Sequence, residues 1–360
     1  MTVRVVLGDQ TGRIRTELAA GNVSNIEWRL NGAGTATVSI KRGSSAFRRE
    51  LLEPGARIYI EFENGLPAWG GIVDLPRSWE HGVILVRAHT IERLLRFQIT
   101  SRTRAFYGDV VGSIFNQILN EIDASIGITI GHVWFGGAAH YPRYHFRDVM
   151  WVINNSIRKM ENCDYRFVPY LNGGRIVFRA ELHELLGNDR RERVALVEGA
   201  NVGKVLSFSE QGDIINRVVA VGSGATWAER EAVWGVEEAS KRRFGLREAV
   251  MMPADVSQTV TLSRYVGNAI RNSAYPHSLA KLSVSDSAPA GFGDYDVGDI
   301  VRVILPSFGF DGFGYDAPMR VVARGFDPQS GKCEVVLDER FEYLPVIQGE
   351  DTTQPGGEEE

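Results

Sequence analysis

At 360 residues, 44% hydrophobic and 24% charged, the chain has the length and composition of a globular protein of two or three domains. Its formal net charge is −5, but Glu350, Asp351, Glu358, Glu359 and Glu360 lie in a final stretch without Lys or Arg, so the body up to residue 349 is close to neutral. A body without a basic excess argues against a protein built to grip nucleic acid, and no apolar run approaches the ~18 residues of a membrane span. The N-terminal "MTVRVVLGDQTG" has no apolar h-region, so no secretory signal is expected. Cys163 and Cys333 are too few for a disulfide framework, and Cys333 shares a strand face with Val335 and Leu337, as a buried thiol does.

Residues 1–100 read as all-β. Val3, Val5 and Leu7 alternate, as do Ala36, Val38 and Ile40, then Ile58, Ile60 and Phe62. An Asn64-Gly65 turn, a returning strand "WGGIVDL", a turn at Gly82 and "VILVRAH" follow, and a short helix "TIERLLRF" closes a predicted β-barrel domain. Residues 101–193 change period. Val110, Val111, Ile114, Phe115, Ile118, Leu119 and Ile122 form a helical face with Asp109 as predicted N-cap, and Val149, Ile153, Ile157 and Met160 form a second. "DYRFVPYLNGGRIVFRAE" is a hairpin with an Asn-Gly-Gly turn, which makes this stretch an α+β domain. Strands return over 194–226 and 276–345, predicted as a second β-barrel domain. A helical insertion is expected at 227–275, with Leu262, Val266, Ala269 and Ile270 on one side of its clearest helix. The fold class expected is therefore α+β, mainly β, with two similar barrels; 346–360 has the Pro, Gly and Glu bias of a disordered acidic tail.

The two barrels carry the same small sheet. With Gly55 set against Gly298, Ile58, Ile60 and Phe62 fall opposite Val301, Val303 and Leu305. Trp69 and Ile72 then fall near Met319 and Val322, and Gly82 at Gly331. The second copy is longer in its first loop, "SFGFDGFGYDA", whose four aromatics suit either a packed loop or a contact with a neighbouring subunit.

The order of "GTATVSI", "LLEPGARIYIE", "WGGIVD", "GVILVRAHTIERLL", "INRVVAVGSG", "YDVGDIVRV" and "MRVVARGFDPQSGKCEVVLDE" resembles the baseplate or tail-tip hub family of tailed bacteriophages and related contractile injection machines. The resemblance implies two β-barrels per subunit and a homotrimer that presents six barrels in a ring. Such a ring joins a sixfold tail tube to a threefold tip fibre or spike. It also implies a place in the virion after synthesis in the host cytoplasm, with phage DNA met only in transit.

Motifs for chemistry are missing. "HELLG" at His183 begins like the zinc-protease pattern, but Gly187 stands where the second His belongs. His140 and His145 are separated by Pro142, and with His132 they make at best a weak metal cluster. No nucleophile elbow or phosphate loop occurs, so no catalytic, metal or cofactor residue is assigned and no cofactor is expected. Paired carboxylates for glycan cleavage stay open, since their separation is a property of the fold. Arg242 and Arg243 sit among acids, as on a solvated helix or loop. The leading expectation is a structural hub rather than an enzyme. The alternatives are a tail-associated cell-wall hydrolase, or a carbohydrate-binding module using aromatics such as Trp134, Phe135 and Tyr141.

Overall fold

Alternation at period two buries Ile58, Ile60 and Phe62 along one face of the strand Arg57–Phe62, and Val301, Val303 and Leu305 along one face of Ile300–Leu305. The computed structural model describes residues 3–19, 22–63, 66–100, 103–224, 226–253, 256–286, 290–309 and 314–340, and places these strands in two different sheets. The Asn64-Gly65 turn, residues 310–313 of the aromatic loop and the acidic tail lie outside the described residues; of the loop's aromatics, Phe308 and Tyr315 pack on Phe208, with ring centroids 5.3 and 4.9 Å away. The chain is α+β and mainly β, as expected.

The first sheet runs Ile14–Leu18, Val3–Gly8, Arg57–Phe62, Trp69–Glu80, Val83–His89, Thr35–Lys41, Val23–Ser24. The second runs Ala195–Val197, Ile300–Leu305, Tyr315–Asp327, Lys332–Asp338, His277–Val284, Val202–Gln211. Set aside Ile14–Leu18 and number the other six strands of the first sheet along the chain from Val3–Gly8, and the six of the second from Ala195–Val197. Both sheets then read first, fourth, fifth, sixth, third, second. One pairing differs: the first strand is antiparallel to the fourth in one sheet and parallel to it in the other.

The likeness extends to single bonds. Gly55 and Gly298 both adopt positive φ, at 89° and 98°. Gly55 donates its N–H to Val73 (3.0 Å), which donates back to Ala56 (2.7 Å). Gly298 donates to Val321 (2.8 Å), which donates back to Asp299 (2.9 Å). A bulge follows Val73 and Val321 alike. Beyond each bulge an arginine clamps the start of the unit: Arg77 donates to the Leu52 carbonyl at 2.6 Å, and Arg324 donates to that of Tyr295. The returning strand corrects the sequence alignment by two residues. Ile60 faces Trp69 and Val303 faces Ala317, so Trp69 corresponds to Ala317 rather than Met319.

Both sheets contribute to one apolar core, which runs from Val5, Ile58 and Trp69 to Leu282, Val303 and Val335. They are also stitched directly. The short strand Ile26–Arg29 leaves the first unit and pairs antiparallel with Tyr315–Asp327, and Phe62 meets both Trp28 (5.6 Å) and Phe326 (6.2 Å) between ring centroids. Four residues were too few to show a period in the sequence, so this crossing was not foreseen.

A second core lies under the first sheet and is built by the helical regions. The helix Val111–Leu119 starts one residue later than expected. Val110 is its N-cap, while Asp109 accepts from the Ser113 hydroxyl at 3.1 Å. The next helix runs Val149–Glu161 and widens to a π-helix over Val152–Ile157. Asp148 caps it by accepting from the Trp151 N–H at 2.6 Å. The expected hairpin, Asp164–Asn172 with Arg175–His183, gains a parallel third strand, Ile128–Val133.

The insertion departs from expectation. Arg217–Val221, read as a strand of the second barrel, instead centres a separate sheet between Ala232–Val236 and Glu248–Met251. Residues 227–275 therefore hold two strands besides the helices Glu238–Phe244 and Thr259–Ser273. The reason is packing: Val218 and Ala220 bury one side of this sheet with Leu262 and Val266 of the longer helix, in the second core rather than the first. That helix also secures its neighbour's end, since Asn268 donates to the carbonyls of Lys159 (3.0 Å) and Met160 (2.9 Å).

Candidate interaction sites

Three parts of the chain meet at a buried polar node. Arg320, on a strand of the second sheet, is 0% exposed and pairs with Asp164 at 2.5 Å; Asp164 begins the hairpin and is 1% exposed. Asn31, just beyond the crossing strand, donates to the other Asp164 oxygen at 2.6 Å and accepts from the Tyr165 N–H at 2.9 Å. Leu186 donates its N–H to Asp164 (2.8 Å), while Arg320 donates to the carbonyls of Leu186 (2.6 Å) and Gly298 (3.0 Å). Two opposite charges are thus removed from water with their hydrogen-bonding capacity largely met, which is the condition under which a buried pair is tolerated. Chemically the node is a clamp: it bonds groups and offers no open position.

Gly187 explains the interrupted "HELLG". At φ 96°, a Cβ here would lie 2.2 Å from the Gly298 carbonyl carbon. Only glycine fits where the connecting segment crosses the second sheet. His183 ends a strand, and its Nε2 lies 3.2 Å from Glu181.

Two further buried arginines act as fasteners. Arg324 lies 4.0 Å from the Phe292 ring centroid and near Tyr295 and Trp28, and it donates to the Phe292 carbonyl at 2.7 Å. Burial lowers its pKa. Arg57 reaches from the first sheet to the carbonyls of Ile176 (2.6 Å) and Ser125 (2.9 Å), and burial lowers it to about 10. All three arginines lie on strands where sequence alternation gave no hint of burial.

The histidines named from sequence are scattered. His140 is fully buried, 2.7 Å from Glu161; His145 is exposed beside Thr103. His132 instead stacks on His183, with ring centroids 4.8 Å apart. Glu181 serves that corner: burial pushes its carboxyl up, but bonds from His183, Arg166 and Arg179 outweigh burial and hold it at about 2. No group of three or more His, Cys, Asp or Glu suited to a metal occurs among the described residues. Burial raises the thiols of Cys163 to about 12 and Cys333 to about 11, so both are unreactive.

Trp134 packs against the second core, Tyr141 is half-buried, and Phe135 is 55% exposed. Arg242 and Arg243 lie exposed on the helix Glu238–Phe244, as expected. Two apolar surfaces were missed. One is the outer side of the three-stranded sheet, with Trp234 and Val250 exposed; the other lies where the backbone of 98–100 pairs with 147–149, flanked by exposed Phe97, Ile99 and Phe146. Their residues read as ordinary strand and loop text, because sequence does not show which sheet side stays uncovered.

No family model and no curated protein matches the chain. Solved structures do. The tail protein of Neisseria meningitidis MC58 is 13% identical, with a TM-score of 0.61 over 96% of this chain and 99% of that one. The 43 kDa tail protein of prophage MuSo2 from Shewanella oneidensis is 12% identical, with a TM-score of 0.59 over 96% and 100%. Prophage tail protein gp18 of Listeria monocytogenes EGD-e is 12% identical, with a TM-score of 0.57 over 96% of each chain. The resemblance read from the sequence thus holds at the level of fold: over nearly its whole length, this chain has the fold of phage tail proteins.

Proposed function

We propose that the chain is a structural hub of a phage tail tip or baseplate, located in the virion. Three subunits would close a ring in which the two sheets of each subunit, as barrel-like walls, alternate around a channel. The observation that carries this reading is the shared six-strand order of the two sheets, with matched glycine and arginine bonds. One subunit thereby offers nearly the same wall twice, and a threefold ring offers it six times. Closed rotational symmetry buries every lateral contact. The ring would join the tail tube to a tip fibre or spike.

The common core and the Asp164–Arg320 node suit a rigid mechanical part. Phage DNA would pass in transit, and the near-neutral body suits a lumen without a continuous basic stripe, since each phosphate-neutralising cation adds salt-dependent affinity. Solution mass of the chain, alone and with its tube protein, tests the ring: three copies are expected, and a chain that stays monomeric with tube present contradicts it.

No observation favours the hydrolase or the sugar-binding reading. The purified chain is expected to release neither reducing sugar nor free peptide ends from host cell wall. Release of either would overturn the non-enzymatic assignment.

A further inference from the structure

The short helix Glu92–Leu95, which follows the first sheet, carries an acid that makes no salt bridge among the described residues. Glu92 is 7% exposed, and its Oε2 has no hydrogen-bond partner among the described residues. The same holds for two polar atoms on other elements: Asn154 Oδ1, in the π-helical stretch, and the Tyr165 hydroxyl, in the hairpin. Glu92 acts electrostatically on the Tyr165 phenol, and Asn154 lies toward that hydroxyl without a bond of normal geometry. The short helix packs against Val149–Trp151, the turn that leads into the π-helical stretch.

The helix that follows the first sheet thus meets the helical layer with a buried, unpartnered acid in it. With no counter-charge at the carboxyl among the described residues, burial favours the neutral acid, whose O–H can donate where a carboxylate can only accept. Thr90, whose oxygen accepts from the Gly34 N–H at 2.9 Å, lies beside the carboxyl and favours its ionised form, but burial outweighs it. The charged groups on this side are Arg158 and Arg96, both acting on the Tyr165 phenol, and Arg158 also donates to the Cys163 carbonyl at 3.2 Å.

We propose that Glu92 is a proton-operated latch: as the neutral acid it seats the first sheet's terminal helix on the π-helical turn, and its ionisation unseats that junction. Burial pushes Glu92 up to about 7, from an ordinary value of 4.5. The sign follows from linkage. The folded state holds the proton more tightly than the unfolded chain, so stability is full at low pH. It is lost as pH rises from the unfolded value through the folded one. Half-buried His89 and buried His277 have lowered pKa values and slope the other way, so the readout must be a difference between proteins.

The test compares unfolding of the full chain and of Glu92→Gln at about pH 5 and about pH 8.5. Relative to the variant, the unaltered chain is expected to lose on the order of a hundredfold in its folding equilibrium constant across that interval. Parallel pH dependence of the two proteins overturns the latch. Should glutamine not be accommodated, Glu92→Met gives the same comparison without a polar head. Infrared spectra of the unaltered chain give an independent reading: a protonated-carboxyl carbonyl band at about pH 6, lost by about pH 8.5, is expected at the folded pKa near neutrality. Absence of that band at the lower pH also overturns the proposal.

Discussion

Arg320→Ala is expected to cost about 3–5 kcal/mol of stability, read as a lower denaturant midpoint. The large value comes from what stays behind. Asp164 would remain 1% exposed with its charge uncompensated, and the carbonyls of Leu186 and Gly298 would each lose a donor. Asp164→Ala should cost a similar amount, because it strands the guanidinium instead. Changing both together to apolar residues, as Arg320→Met with Asp164→Leu, should recover much of the loss, since the pair's desolvation cost disappears with it. The two single losses and the double one form a thermodynamic cycle. A strong positive coupling is expected; simple additivity would show that the node is not a unit.

Gly187→Ala is expected to cost roughly 2–5 kcal/mol, combining backbone strain with a clash that cannot relax. Its φ of 96° is unfavourable for any L side chain, and the new Cβ would strike the Gly298 backbone. Gly298→Ala should be similarly severe, since its Cβ would lie 2.6 Å from the Leu186 carbonyl oxygen. Gly55→Ala is the internal control. It occupies the equivalent place with φ 89°, but its Cβ would meet only the Gln10 side chain at 3.6 Å. Strain alone remains there, about 1–2 kcal/mol. Thermal or denaturant unfolding of the three variants gives the ranking. Equal losses at Gly55 and Gly298 would mean that the back-to-back glycine contact contributes nothing.

Those positions also mark how far the sequence could be read. The strands around Ile58 and Val301 were legible because alternation and flanking glycines are local signals, and the pairing of Gly55 with Gly298 followed from them. Partners were not legible. "RVVAV" alternates like a barrel strand, yet Val218 and Ala220 pack on the helix Thr259–Ser273, well downstream in the chain. Arg320 and Arg324 occupy positions that alternation alone would leave to solvent, and both are at most 1% exposed. Their acceptors come from distant segments, so only the folded chain reveals them. Val6 and Tyr59 are similar: they lie on the outer side of the first sheet and are buried because the helical layer covers it. Gly187 was noticed as a missing histidine, while its actual role depends on a glycine over a hundred residues away. For the candidate sites, the absence of catalytic motifs was readable in the sequence; the polar node and the exposed apolar faces were not.

The most direct measurement of the hub reading is a cryo-electron microscopy reconstruction of the intact tail with copies of this chain counted at the tip. Three copies are expected, with the two sheets of each alternating around a channel so that the walls approach sixfold symmetry. The lumen should carry no continuous stripe of Arg and Lys, although a basic lumen alone would overturn only the passage of DNA and not the ring. A single copy, six copies, or three copies in which only one sheet of each subunit faces the channel would contradict the assignment.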